Sequence, residues 1–258
     1  MTQNSFWTYI DSSEKSGEGF GCFSLPHILW LVVLAAGIFF FSFAYKKSNE
    51  KGRDHLRKGM ALFLILFETG KQCVVGLTDA PAAVHLPLHI CSFAEYAILI
   101  DTFWPDNRLF KPVLCYAFLP AAFMALLFPT VTAYPPISFY AIHQFVLHAA
   151  IIAYTLARYI AGDMRMNYAG VWISLGMILA LALPVYLIDK TFDRNYMFLL
   201  RHSNNPALKF IWNLSGGNGG FAYILGLALL TLLMFHFVFC VFTLIQKLRC
   251  RQKFAKMN

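Results

Sequence analysis

The chain alternates long apolar runs with short polar links. The apolar runs lie at about 25–45, 59–77, 86–102, 110–128, 137–159, 169–188 and 220–246. A helix needs roughly 20 mostly apolar residues to cross the hydrocarbon core of a bilayer, and each run is close to that length. The pattern therefore predicts an all-α fold, a polytopic membrane bundle of seven transmembrane helices.

The composition supports a membrane protein and argues against a soluble domain. Hydrophobic residues make up 59% of the chain and charged residues only 13%. The formal charge of +8 comes mainly from 46–58 and the tail after Gln246, which hold 11 of the 21 Lys and Arg. Both clusters flank apolar runs, so we attribute them to topology and anionic headgroups rather than to nucleic acid. The six cysteines have no CxxC spacing and indicate neither a disulfide framework nor a zinc site.

The distribution of basic residues predicts the orientation. The links 46–58, 103–112, 158–168 and 247–258 together hold 15 Lys and Arg, with Arg158 counted in the third of them. The alternate segments 1–24, 77–85, 128–137 and 189–219 hold 5, and Lys71 lies inside a run. Because basic residues concentrate in cytoplasmic links, we expect the N-terminus outside, the C-terminus in the cytoplasm, and a multi-pass protein of the inner (plasma) membrane. The predicted regions are an extracytoplasmic segment 1–24, a transmembrane domain 25–246 and a basic cytoplasmic tail 247–258.

A polar stripe interrupts the second run. Glu68, Lys71 and Gln72 are spaced i, i+3, i+4, so they share one face of a helix. Ionisable residues inside a span are costly and are functional hypotheses by default. With the second span running outward, Glu68 lies near mid-membrane and Lys71 in the outer half. The alternative is an internal ion pair that only neutralises two buried charges.

The third run, predicted as a span over 86–102, carries His89, Cys91 and Glu95. Cys91 and Glu95 are i, i+4 and share a face. His89 and Cys91 point about 160° apart on a regular helix, which disfavours a dyad unless Pro87 distorts its start.

The fifth run carries His143 and His148. The two diverge by about 140°, so they do not form the i, i+4 pair of a helical metal site, and we predict no metal or cofactor. His143 lies at the depth of His89 and Lys71, whereas His148 also fits a hydrogen-bonded core histidine. A haem role would need two histidines to converge across a ring.

The last outer link, 189–219, contains the sequence NYMFLL at 195–200. Its amphipathic character predicts that it lies in the headgroup layer or covers the outer mouth of the bundle. Asn195 and Tyr196 thereby become candidate substrate contacts.

Three stretches resemble a known family: LPLHICS at 86–92, the histidine-bearing fifth run, and NYMFL from Asn195. They resemble the bacterial YwaF-like integral membrane family, which is similar to the eukaryotic transmembrane protein 164 family. The latter resemblance implies phospholipid acyl transfer through a cysteine acyl-enzyme. In that group the cysteine immediately precedes the histidine; here Leu88 holds that position, and Cys91 follows His89 by two residues.

Two functions follow as hypotheses. The first is lipid modification, by acyl transfer to or from a phospholipid or by its hydrolysis, in an outward-facing polar pocket. In it His89 or His143 is the general base, Lys71 the phosphate or oxyanion partner and Cys91 the nucleophile. The second is a transporter or sensor that binds a small anion or relays protons through Glu68, Lys71 and the histidines. Remaining candidate substrate contacts are Gln72, Glu95, His148, Asn195 and Tyr196.

Overall fold

The computed structural model describes residues 6–10, 19–202 and 205–255, and every regular element within these ranges is helical. The all-α prediction is thereby confirmed. In chain order the elements are α1 Leu25–Lys47, α2 Glu50–Leu77, a 3₁₀ turn Ala82–Val84, α3 Ile90–Phe103, α4 Phe110–Val113, a π turn Leu114–Phe118, α5 Leu119–Leu127, α6 Phe139–Ala161, α7 Ala169–Phe192, a 3₁₀ turn Tyr196–Phe198, α8 Pro206–Leu214 and α9 Phe221–Ala255.

Six of the described helices are long and apolar enough to cross a membrane. They are Leu25–Lys47, Glu50–Leu77, Phe110–Leu127, Phe139–Ala161, Ala169–Phe192 and Phe221–Leu248. The third predicted span corresponds to α3, whose 14 residues extend only about 21 Å, less than the hydrocarbon thickness of about 30 Å. Seven spans, the orientation of the termini and the three predicted regions therefore stay predictions.

The second helix begins earlier than the hydrophobic pattern indicates. It starts at Glu50 rather than near residue 59, because the Asn49 side chain caps it by accepting a hydrogen bond from the Gly52 N–H at 2.9 Å. The polar sequence 50–58 is thus a helical extension of the span. Within it, Asp54 pairs with Lys58 at 2.6 Å and with Arg57 at 3.0 Å.

The third helix begins later than predicted. Pro87 disfavours helical backbone at the residue before it, and helix α3 starts only at Ile90. His89 is the N-cap, with extended backbone at φ −79° and ψ 158°. The prediction that His89 lies inside a helical span is therefore wrong, and the angular argument that separated it from Cys91 does not apply.

Helix α6 forms the centre of the bundle. In its apolar window 72% of the residues are buried, against 17% in α1 and in α2. Apolar side chains that the peripheral helices leave exposed are suited to lipid rather than water.

Candidate functional site

The polar stripe on α2 forms a connected group centred on Glu68. Lys71 Nζ lies 2.7 Å from Glu68 Oε1, and Gln72 Nε2 donates a hydrogen bond to the same oxygen at 2.8 Å. Gln72 Nε2 also donates to the backbone carbonyl of His85 at 2.8 Å. The Lys71 and Glu68 side chains are only 12% and 14% exposed. The stripe therefore ties α2 to the link before α3.

The fifth-run histidine meets this group from α6. His143 Nε2 lies 3.6 Å from Glu68 Oε2, the carboxylate oxygen that Lys71 and Gln72 leave free. The His143 ring stacks on Phe67 with a centroid separation of 4.6 Å and an interplanar angle of 14°. At 3.6 Å the two atoms are too far apart for a normal hydrogen bond, but catalytic hydrogen bonds in unliganded sites are often long. Glu68 is thus placed to orient His143.

The loop after α7, which contains the 3₁₀ turn Tyr196–Phe198, covers His89. The His89 ring lies 5.4 Å from the Tyr196 ring and 6.1 Å from the Phe198 ring. The Tyr196 hydroxyl donates to the backbone carbonyl of Ala83, and the Tyr196 backbone N–H donates to Asp189 Oδ1 at 2.9 Å. The loop after α7 is therefore fastened over the link that leads into α3.

The Asn195 side chain stabilises this loop through hydrogen bonds to the loop backbone. Its Oδ1 accepts hydrogen bonds from the backbone N–H groups of Leu200 at 3.0 Å and Arg201 at 2.9 Å, and its Nδ2 donates to the Arg201 carbonyl at 2.9 Å. Met197 and Phe198 have positive φ values of 54° and 58°, which non-glycine residues rarely adopt. The Asn195 side chain thus stabilises an unfavourable loop conformation, and its predicted contact with substrate stays a prediction.

Two α3 residues lie beside the stripe. Cys91 and Glu95 are both within electrostatic range of Glu68 and Lys71. Glu95 is 6% exposed, and its Oε1 has no hydrogen-bond partner among the described residues. The structure therefore gathers α2, α3 and α6 around one polar region.

The predicted site residue His148 faces the interior of the bundle. It is 7% exposed, and its Nδ1 lies 2.6 Å from the Gln144 carbonyl, the oxygen of its own helix one turn back. This contact requires the proton on Nδ1, which leaves Nε2 as an acceptor. His148 lies within electrostatic range of both His89 and His143.

Sequence reasoning missed His85, which lies in the link between α2 and α3. Its ring stacks on Tyr140 at 5.2 Å and meets Tyr9 edge-on at 5.3 Å. Burial, together with the nearby Lys71 charge, lowers the pKa of His85 to about 4, so the imidazole is neutral at physiological pH. Its position four residues before His89 was the available signal.

A second buried polar cluster lies at the other end of α3. The Arg158 side chain pairs with Asp101, and the Tyr154 hydroxyl donates to Asp101 at 2.7 Å. Arg158 also donates to the Pro105 carbonyl at 3.3 Å. Arg158 was counted with the polar link 158–168, where an exposed side chain is expected. Only 2% of its side chain is exposed. Asp101 inside an apolar run was the signal for this cluster.

The two clusters differ in chemistry. Around Glu68, a carboxylate, an ammonium group and an imidazole converge, a set able to move a proton and stabilise an anion. Around Asp101, the carboxylate pairs with the Arg158 guanidinium and accepts a hydrogen bond from the Tyr154 hydroxyl, and none of these groups is an imidazole. Among the residues that the structure describes, no group of three or more His, Cys, Asp or Glu side chains is placed to hold a metal ion.

Comparison with known proteins gives one family. The TMEM164 family model matches residues 22–245 of the 258-residue chain. The match includes every residue of both polar clusters and of the loop after α7. No curated protein and no solved structure matches the chain.

Proposed function

The chain belongs to the TMEM164 family of multi-pass membrane proteins, and we propose that it is an enzyme acting on membrane lipid. Its reaction is the transfer or hydrolysis of a phospholipid acyl chain at the polar site around Glu68. The label of the YwaF-like bacterial family stays a prediction. A site within the apolar span region suits a substrate that is itself part of the bilayer.

The contact between Glu68 and His143 carries this proposal. Lys71 and Gln72 hold one carboxylate oxygen, so the other is directed at the imidazole in the manner of the acidic residue in a hydrolase triad. His143 then takes a proton from a water molecule or a lipid hydroxyl group. The oxygen of that water or hydroxyl attacks the ester carbonyl. Lys71 stabilises the oxyanion, and His143 returns the proton to the departing lipid oxygen.

A covalent route through Cys91 is the variant that the sequence resemblance implies. The thiol gives its proton to an imidazole, His143 or His89, and the thiolate forms a thioester with the acyl group while the lipid alcohol leaves protonated. Water or a second lipid hydroxyl then releases the acyl group. The resemblance is what supports this route, since burial of a thiol disfavours the thiolate unless a nearby cation offsets it.

We also propose seven membrane-crossing segments with the site toward the outside. The link before α3 contacts the outer loop through Ala83 and Tyr196, whereas the link after it contacts Arg158 through Pro105. Helix α3 therefore runs between the two ends of the bundle despite its length. A reporter active only in the cytoplasm should give signal at the C-terminus and none before α1; the reverse would contradict the orientation.

Lipid turnover by the purified protein tests the enzyme. In vesicles of phosphatidylcholine with labelled acyl chains, we expect release or transfer of label, and a loss of about a hundredfold or more in His143→Gln and Glu68→Gln. His236→Gln is the matched control, since His236 lies on α9 and contacts Tyr168 at 3.2 Å. Full turnover in His143→Gln would refute the assigned base.

Proton relay is the second candidate function, and one observation favours it. Buried polar atoms without a hydrogen-bond partner among the described residues occur on Glu68, His85, Glu95 and His143, spread over α2, α3, α6 and a link. Such a series suits a proton path. Proton flux into sealed vesicles, lost in Glu68→Gln and accompanied by no lipid turnover, would favour this function over the enzyme.

A further inference from the structure

An apolar groove of about 520 Å³ lies between α1, α2 and α6. Its floor is formed by small side chains of α6, Ala149, Ala150 and Ala153. Its walls include Gly37 on α1 and Gly59 on α2. His55 is the one polar residue among those that line it.

The two wall glycines leave open space. Small residues on membrane helices usually allow two helices to approach closely. Here, a Cβ atom added at Gly37 or Gly59 would meet no atom within 4 Å. These glycines therefore widen the groove instead of bringing the helices together.

The groove ends beside the polar site. At its outer end Phe63 stacks on Phe67 at 5.2 Å, and Phe67 stacks on His143 at 4.6 Å. From His55 to Glu68, helix α2 rises about 20 Å, roughly two thirds of the hydrocarbon thickness. Groove and site together thus form one path, apolar along most of its length and polar at its outer end.

We infer that this groove binds one acyl chain of the phospholipid whose ester is held at Glu68 and His143. The inference rests on the proposed function for the position of the ester. An acyl chain is the occupant because the lining is apolar and the helices that form it are membrane spans. Val33 at the rim is 64% exposed, so a chain can enter sideways from the bilayer.

Photolabelling of the full chain tests the groove directly. The probe is a phosphatidylcholine with a diazirine in one acyl chain, supplied in nanodiscs, and adducts are mapped by mass spectrometry. We expect labelling of the groove helices to exceed that of Leu229 and Leu233, which are exposed on α9 and report bulk lipid. Gly59→Leu, which fills the groove, should reduce groove labelling about tenfold, because the added side chain occupies the volume that the acyl chain would fill.

The matched control is Gly176→Leu on α7, where an added Cβ also meets no atom within 4 Å. It should leave labelling unchanged. Gly37→Leu fills the groove from the opposite wall and gives a second reading if Gly59→Leu folds poorly. Groove labelling no stronger than that of α9, or unaffected by both filling variants, would overturn the inference and indicate bulk lipid only.

Turnover separates this inference from the proposed function. If the groove binds the acyl chain and the protein is the proposed enzyme, Gly59→Leu should lower turnover of long-chain lipids about tenfold relative to short-chain lipids, because only a long chain reaches the filled part of the groove. Specific groove labelling without turnover in the wild type would reject the enzyme and retain the groove. Turnover in the wild type without groove labelling, and with the same chain-length preference in Gly59→Leu and Gly37→Leu, would reject the groove and retain the enzyme.

Discussion

The buried ion pair between Asp101 and Arg158 should hold the C-terminal end of α3 against α6. The Asp101 side chain is fully buried and that of Arg158 is 2% exposed. Removing either group alone leaves the other charge buried without a counter-ion, which costs about 3–5 kcal/mol of folding free energy. Replacing both Asp101 and Arg158 by apolar residues of similar volume removes this penalty and often leaves the folding free energy nearly unchanged.

The magnitudes can be ranked from these contacts. For a chain of this size, about 1 kcal/mol shifts the melting temperature by roughly 2–4 °C, so Arg158→Met and Asp101→Leu should each lower it by about 10 °C. The double variant should lie closer to the wild type than either single variant. Tyr154→Phe removes one hydrogen bond to Asp101 and should cost about 1–2 kcal/mol.

Thermal unfolding in detergent, followed by tryptophan fluorescence, measures this ranking. The control is Arg201→Met, because Arg201 pairs with Asp193 on the surface, where the two side chains are 57% and 79% exposed. Removing such an exposed pair should change stability by less than about 1 kcal/mol. Additive losses in the Asp101 and Arg158 double variant, or equal effects of Arg158→Met and Arg201→Met, would refute the reasoning.

Three further predictions concern the site around Glu68 and the link before α3. Lys71→Met and Glu68→Gln should each destabilise the protein more than the double variant does, because each single change leaves one charge buried without its partner. Thermal unfolding followed by calorimetry or fluorescence measures the three stabilities. Additive losses in the double variant would contradict the pairing. The depressed pKa of His85, about 4 against 6.5 in the unfolded chain, means that its contribution to stability is complete above pH 6.5 and is lost as pH falls toward 4. His85→Phe keeps a ring stacked on Tyr140 and should lose less stability than the wild type between pH 6.5 and 4. Melting temperatures measured at several pH values test this. The same pH dependence in the variant and the wild type would exclude His85 as the group responsible. Cys91→Ser should abolish lipid turnover only if the reaction passes through a thioester, which an electrophilic acyl probe would detect at Cys91. His89→Ala should abolish turnover, with little change in melting temperature, only if His89 is the base that deprotonates Cys91.

The apolar runs predicted nearly all the helices because a membrane span must satisfy its own backbone and expose apolar side chains. The same reasoning placed the start of α2 too late. Asn49 caps the helix, and Asp54 with Lys58 supports its polar first turns. Hydrophobicity marks where a helix meets lipid, and it says little about how far the helix continues into water.

Sequence spacing predicted the Glu68 stripe because residues on one helix have a fixed angular relation. The approach of His143 to Glu68 depends on how α2 and α6 pack, and spacing within either helix cannot give that. The membrane depths expected from the sequence were similar for Glu68, Lys71 and His143. They did not show which of these side chains would be in contact. Arg158 was missed for a related reason: a basic residue near a span end was counted as a link residue, although its guanidinium turns inward to Asp101.

The shortness of α3 explains why so many polar groups gather at the end of the bundle where α3 begins. Where α3 has not yet begun, the link 78–89 occupies the space between helices with irregular backbone, whose carbonyls need partners away from water. Gln72 supplies one to His85 and Tyr196 supplies one to Ala83. Two side chains that sequence reasoning assigned to substrate thus support the backbone that leads to His89. A site of this kind is bounded by a link rather than by a continuous helix, and in the proposed reaction the link would lie beside the lipid headgroup while the acyl chain lies among the helices.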